Sequence, residues 1–123
     1  MDRKLFGTGA LLLLLGVGLG AFGAHALEGK LLPADLHLFE LAVRYQLVHG
    51  VGLLGVAIAA RAAPSPLLQQ GGWVLLAGTL VFCGSLLLMA FGAPRWLGAI
   101  TPVGGTGLIL GWGLVMAGAW RRQ

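Results

Sequence analysis

The sequence predicts an all-α fold: an integral membrane four-helix bundle with a short amphipathic helical segment between spans 1 and 2. Composition supports this first, since 58% of the 123 residues are hydrophobic and only 10% are charged. A soluble domain carries about a quarter charged residues, so these few cannot coat a globule of this size, and the mean hydropathy is +0.91. The apolar residues also fall into four long runs rather than the alternating pattern of a β-barrel. Finally, 22 glycines supply the small residues that helices need to approach each other in lipid. At this length the chain is one domain, residues 1–123.

The first span covers residues 5–27, long enough for the ~20 apolar residues that cross a hydrocarbon core. Arg3-Lys4, the leucines at 11–15 and Ala24-His25-Ala26 imitate a secretory signal, but the apolar run exceeds the usual h-region of about 7–15 residues. It is read as a retained helix, with Gly16, Gly20 and Ala24 forming a small-xxx-small ridge. Pro33 opens the amphipathic segment, and Asp35 in its first turn suits the helix dipole. Leu36, Phe39 and Val43 share one face and His37, Glu40 and Arg44 the other, so this segment is expected to rest on the membrane surface. The second span, 43–62, must stop at Arg61 and Pro64, which draws Arg44, Tyr45, Gln46 and His49 into its first turns.

The third span is 72–92 and the fourth 97–120. Within the fourth, Thr101-Pro102 reads as a helix start, with the threonine hydroxyl capping and proline at the first helical position. Residues 97–100 then form a short interfacial piece. Gly107 and Gly111 make a second small-xxx-small ridge, whose bland reading is packing within the bundle; any glycine face left over offers a homo-oligomer contact. Trp73, Trp96 and Trp120 mark span ends, whereas Trp112 lies deeper.

Orientation follows from basic residues. Arg3, Lys4, Arg61, Arg121 and Arg122 share the side of the termini, against Lys30, Arg44 and Arg95 opposite. The expectation is a multi-pass protein of the bacterial inner (plasma) membrane with both termini cytoplasmic.

Several function classes are excluded. The formal charge of +4 comes from scattered bases without interleaved aromatics, so no nucleic acid is expected. One cysteine, Cys83, rules out an internal disulfide and multi-cysteine metal or redox motifs, and is read as packing. Neither a Ser-His-Asp nor a Cys-His constellation is present, nor a metalloprotease helix motif or phosphate loop. No catalytic residues, metal or cofactor are expected. Bis-histidine haem ligation by His25 and His49 finds little support, because no attachment motif accompanies them.

One group stands out: His25, Tyr45, Gln46, His49, Ser85 and Thr101, all in the half of the membrane opposite the termini. Tyr45 and His49, four apart, share a helix face. Two readings stand for it. His49 hydrogen-bonds Ser85 or a backbone carbonyl and locks the bundle, or the cluster forms a ligand, proton or ion site. Arg44 and Arg95 either pair with Glu28 or Glu40 or snorkel to headgroups, with snorkelling favoured for Arg95.

The ordered set Gly20-Ala21-Phe22-Gly23-Ala24-His25-Ala26-Leu27, Tyr45-Gln46 with His49, Gly84-Ser85, 98–105 (GAITPVGG) and Gly111-Trp112 resembles the YgdD-type family of small bacterial inner-membrane proteins, a domain of unknown function. The resemblance extends over nearly the whole chain. It implies four transmembrane helices and brings no reaction, cofactor or substrate. The leading expectation is a non-enzymatic helix-packing or accessory subunit of a membrane complex, with the lipid bilayer and a membrane-protein partner or homo-oligomer as its contacts. The alternative is a small transporter or ligand-binding module that uses the polar cluster.

Overall fold

The computed structural model describes residues 2–121, without the side chains of Asp2 and Ala24. Arg122, used in the orientation count, lies outside the described residues. Helix α1 (Asp2–Phe22) runs into a π-helical turn, Gly23–Leu27, followed by α2 (Pro33–Ala62), α3 (Pro66–Ala90), a 3₁₀ turn (Arg95–Ala99) and α4 (Thr101–Trp120). All four are long and apolar enough to cross a membrane.

Proline sets three of the starts. Pro33, Pro66 and Pro102 each occupy the first turn of a helix, where the missing N–H has no partner to lose. Helices α2 and α3 therefore begin earlier than the spans expected at 43 and 72. The physical reason is that hydropathy counts only the lipid-buried part. The 30 residues of α2 extend about 45 Å, well beyond a ~30 Å hydrocarbon core. The amphipathic segment expected to lie on the surface is thus the first turns of α2, continuous with the span. At the end of α3, Gly92 adopts φ +101°. Its N–H donates to the Met89 carbonyl at 3.1 Å and that of Ala93 to Leu88 at 2.9 Å, the paired bonds of a Schellman stop. Pro94 then prevents continuation.

Packing between α3 and α4 follows one rule. At successive levels Leu68 meets Gly118, Val115 meets Gly71, Leu75 meets Gly111, Gly78 meets the backbone at Gly107 and Leu108, and Phe82 meets Gly104. At each level a glycine lets the other helix come close, under a large side chain at most levels and backbone to backbone at Gly78. The positions advance by alternating steps of about three and four, the period of a left-handed antiparallel pair. Helices α1 and α2 repeat the device: Gly9 lies against Leu53, Leu13 against Gly50, Gly16 against Leu47, Gly20 against Val43 and Gly23 against the Phe39 ring. The ridges read from sequence thus belong to longer seams. Gly16 and Gly20 are joined by Gly9 and Gly23, and Gly107 and Gly111 by Gly104 and Gly118.

Sequence neighbours are spatial neighbours: α1 packs on α2, α2 on α3 and α3 on α4. At one end α1 also reaches α3, where fully buried Leu5 fills the space over Gly72 beside Val56. The core of Leu5, Leu12, Leu53, Val56, Ala57, Leu75 and Leu108 knits the row together, leaving α1 and α4 as its flanks.

A Cβ at Gly78 would stand 2.8 Å from the Leu108 backbone nitrogen, which cannot swing aside. Gly78→Ala should therefore lower thermal stability in detergent by about 1–3 kcal/mol. Gly113→Ala, where nothing lies within 4 Å, should leave the melting temperature unchanged or slightly raised. Equal melting of the two variants would mean the α3–α4 seam is not this close.

Candidate functional site

The six residues expected to form one cluster separate into distinct contacts. Tyr45 and His49 project from α2 toward α4, whereas Gln46, one residue and about 100° further round, turns toward α1. Its amide Nε2 donates to the Leu12 carbonyl at 3.0 Å. Gly16, which lacks a side chain beside that amide, makes the approach feasible. Gln46 is only 6% exposed, so this bond satisfies a polar group that would otherwise face hydrocarbon.

His49 is also 6% exposed and both ring nitrogens are engaged. Nδ1 lies 2.8 Å from the Tyr45 carbonyl. A carbonyl only accepts, so Nδ1 carries the proton. The Trp112 indole N–H donates to Nε2 across 3.1 Å, and indole only donates. The two contacts together select the neutral Nδ1–H tautomer. This bond is the main link from α4 to α2, and Gly52 leaves the room for the Trp112 ring. The Tyr45 ring stacks on His49 at 5.8 Å and rests on Phe82 at 4.6 Å.

Ser85 does not reach His49. It continues the α3–α4 seam one level beyond Phe82 and Gly104, where its hydroxyl lies 2.6 Å from that of Thr101 and 2.9 Å from the Phe82 carbonyl. Thr101 donating to Ser85, and Ser85 to Phe82, satisfies both protons. Thr101 is therefore no N-cap: α4 has no side-chain cap bond, because the hydroxyl is drawn sideways to α3. His25 stands exposed on the π-helical turn and makes no side-chain hydrogen bond among the described residues. Of the two bonds anticipated for His49, the backbone carbonyl is present and Ser85 is not.

Other groups complete the picture. The Cys83 thiol donates to the Ala42 carbonyl across the α3–α2 contact at 3.3 Å. Arg95, expected to snorkel, instead holds Asp35 at 2.8 Å, tying the 3₁₀ turn to the start of α2. With the arginine 66% exposed, that pair contributes at most about 1 kcal/mol. Beside Tyr45, His49 and Trp112 an open groove of about 530 Å³ faces outward between α2 and α4. Among the described residues no group of three or more His, Cys, Asp or Glu side chains is arranged to hold a metal ion.

Sequence reasoning missed Trp112 as the partner of His49. Its signal was its depth: an indole N–H in mid-span has no water to bond and requires an acceptor. Phe82, Gly52 and the Asp35–Arg95 pair carried no comparable mark.

Comparison with known proteins extends these findings. The family described as "Protein of unknown function (DUF423)" matches residues 19–105, a stretch that contains all six candidate residues. A UPF0382 membrane protein of Staphylococcus haemolyticus is 45% identical over 104 residues, covering 85% of this chain and 84% of that protein. One from Staphylococcus saprophyticus is 42% identical over 113 residues, 92% and 93% of the two chains. The UPF0382 membrane protein YwdK of Bacillus subtilis is 40% identical over 112 residues, 90% and 91%. No solved structure matches.

If the His49–Trp112 bond links α4 to α2, a double-mutant cycle with His49→Phe and Trp112→Phe should give a coupling energy of about 0.6–1.7 kcal/mol in detergent unfolding. Gly52→Ala, which pushes a Cβ to 2.9 Å from the indole ring, should weaken the same coupling. A value near zero in the parent background would mean that the two rings do not meet.

Proposed function

The chain belongs to the DUF423 family, and from its packing we propose that this membrane protein works without catalysis, as an accessory subunit that docks other transmembrane helices. One observation carries the reading. Helix α1 has two glycine faces. Gly9, Gly16, Gly20 and Gly23 are filled by α2, whereas Gly7 and Gly18 meet nothing within 4 Å. At 100° per residue the second pair lies opposite the first, with exposed Leu11, Leu14 and Phe22 beside it. Glycine on a lipid-facing helix gives up side-chain packing and helix propensity. Its compensation is the close approach of another helix.

The buried polar groups support the same reading. Gln46, His49, Ser85 and Cys83 each hydrogen-bond inside the chain, as expected of clasps between helices. The basic residues on the side of the termini favour a cytoplasmic placement of both ends in the bacterial inner membrane. A second reading, a ligand-binding module or small transporter, is favoured by the open groove beside Tyr45, His49 and Trp112.

Native mass spectrometry of tagged protein released gently from its own membrane tests the first reading. Assemblies containing another polypeptide, or a second copy, are expected. Gly18→Leu should reduce their yield several-fold while leaving the monomer's melting unchanged. A protein that is always monomeric, with a reproducible small-molecule mass that His49→Ala removes, would replace this reading with the second. Reporter fusions at the C terminus should be active only in their cytoplasm-dependent form.

A further inference from the structure

Helices α1 and α2 stay in contact at the end opposite the termini, where Gly23 lies on the Phe39 ring. The π-helical turn Gly23–Leu27 widens α1 there, and an open groove of about 500 Å³ forms between the two helices. Its lining is mostly apolar, with half-buried Leu36 and Leu47 accessible in it, and Gly20 adds no side chain there. Its mouth is charged, lined by Glu28, Glu40 and Arg44. Arg44 precedes Arg61 at the other end of α2 by 17 residues, or about 26 Å of helix. That is close to the ~30 Å of a hydrocarbon core, so the mouth lies at the headgroup level of the leaflet opposite the termini.

The charges at this mouth are not neutralised by each other. Glu40 and Arg44 are four apart on one helix, a spacing that permits an ion pair. Yet the ion pair found among the described residues joins Arg95 to Asp35 and includes neither. One guanidinium and two carboxylates thus face the groove side by side, above an apolar channel.

We propose that this groove binds a phospholipid with a primary-amine headgroup, a phosphatidylethanolamine. The guanidinium of Arg44 takes the phosphodiester, for which its planar donors suit two oxygens at once. Glu28 and Glu40 take the ammonium, whose three N–H donors need acceptors, and one acyl chain lies along Leu36 and Leu47 past Gly20. The same geometry selects against other lipids. An anionic headgroup such as phosphatidylglycerol brings no cation for the two carboxylates. A choline cannot donate hydrogen bonds, and it prefers an aromatic cage, which this mouth lacks.

The test uses the full-length protein in detergent, exposed to equal amounts of phosphatidylethanolamine, phosphatidylcholine and phosphatidylglycerol with identical acyl chains, with retained lipid read by native mass spectrometry. Phosphatidylethanolamine should be retained about tenfold over the other two, as expected for charge-assisted hydrogen bonds. Arg44→Gln should lower retention of all three lipids several-fold, because each carries the phosphodiester that the guanidinium holds. The Glu28→Gln, Glu40→Gln double variant should erase discrimination between ethanolamine and choline while keeping the lipid bound, and Arg61→Gln should change nothing. Equal retention of the three lipids by the unmodified protein would overturn the proposal, a result that needs no variant to fold. Unaltered retention of phosphatidylethanolamine in Arg44→Gln with native helix content would overturn it too, as would displacement of the lipid by soluble phosphoethanolamine at equal concentration.

Discussion

The rest of the structure depends on the fit of one helix's large side chain over the other helix's glycine, repeated level by level along α3 and α4. In lipid no hydrophobic force draws two helices together, because a leucine gains nothing by leaving acyl chains for another leucine. What remains is dispersion, which falls steeply with distance, so backbones must come close. Leu75 over Gly111 and Val115 over Gly71 achieve this from both directions, and alternation lets each helix act in turn as knob and hole. The seam fixes the register of α3 against α4, and register in turn decides which polar groups can meet.

Register explains why Ser85 and Thr101 form a pair. They are the next level of the seam after Phe82 and Gly104, so their hydroxyls close its end with a 2.6 Å contact. The same seam carries Trp112 on α4 to a height where its indole reaches over Gly52 to His49. Polar groups in this chain act as clasps between neighbours: Gln46 on α1, His49 on α4, Cys83 from α3 to α2. Each removes an unsatisfied donor or acceptor from hydrocarbon, which ties bundle assembly to the satisfaction of buried hydrogen bonds.

Because each helix packs mainly on its neighbours in sequence, α1 and α4 remain open along their outer sides, and open grooves remain between α1 and α2 and between α2 and α4. The outward glycines of α1 and the mixed-charge mouth between α1 and α2 are different consequences of that one arrangement. The function proposed for the chain, and the lipid proposed for its groove, both rest on surfaces that the fold leaves uncovered.

Four helices, their membrane environment and the importance of glycine were legible in the sequence, because span length and hydropathy are local quantities set by the thickness of a bilayer. Proline marked Pro33 and Pro102 as helix starts for an equally local reason, the missing N–H. Tyr45 and His49 were correctly placed on one face, since 3.6-residue periodicity fixes relations within a helix. What the sequence could not decide was rotation and register between helices. Gln46 was grouped with His49 because they enter the same span, and rotation turned them to opposite neighbours; Thr101 looked like a cap until register brought Ser85 beside it. Trp112, His49 and Gly52 are far apart in the chain, and Arg95 and Asp35 are as well. Their meeting depends on how far one helix slides along another, which is set by the sum of many small contacts, and so only the tertiary structure decided it.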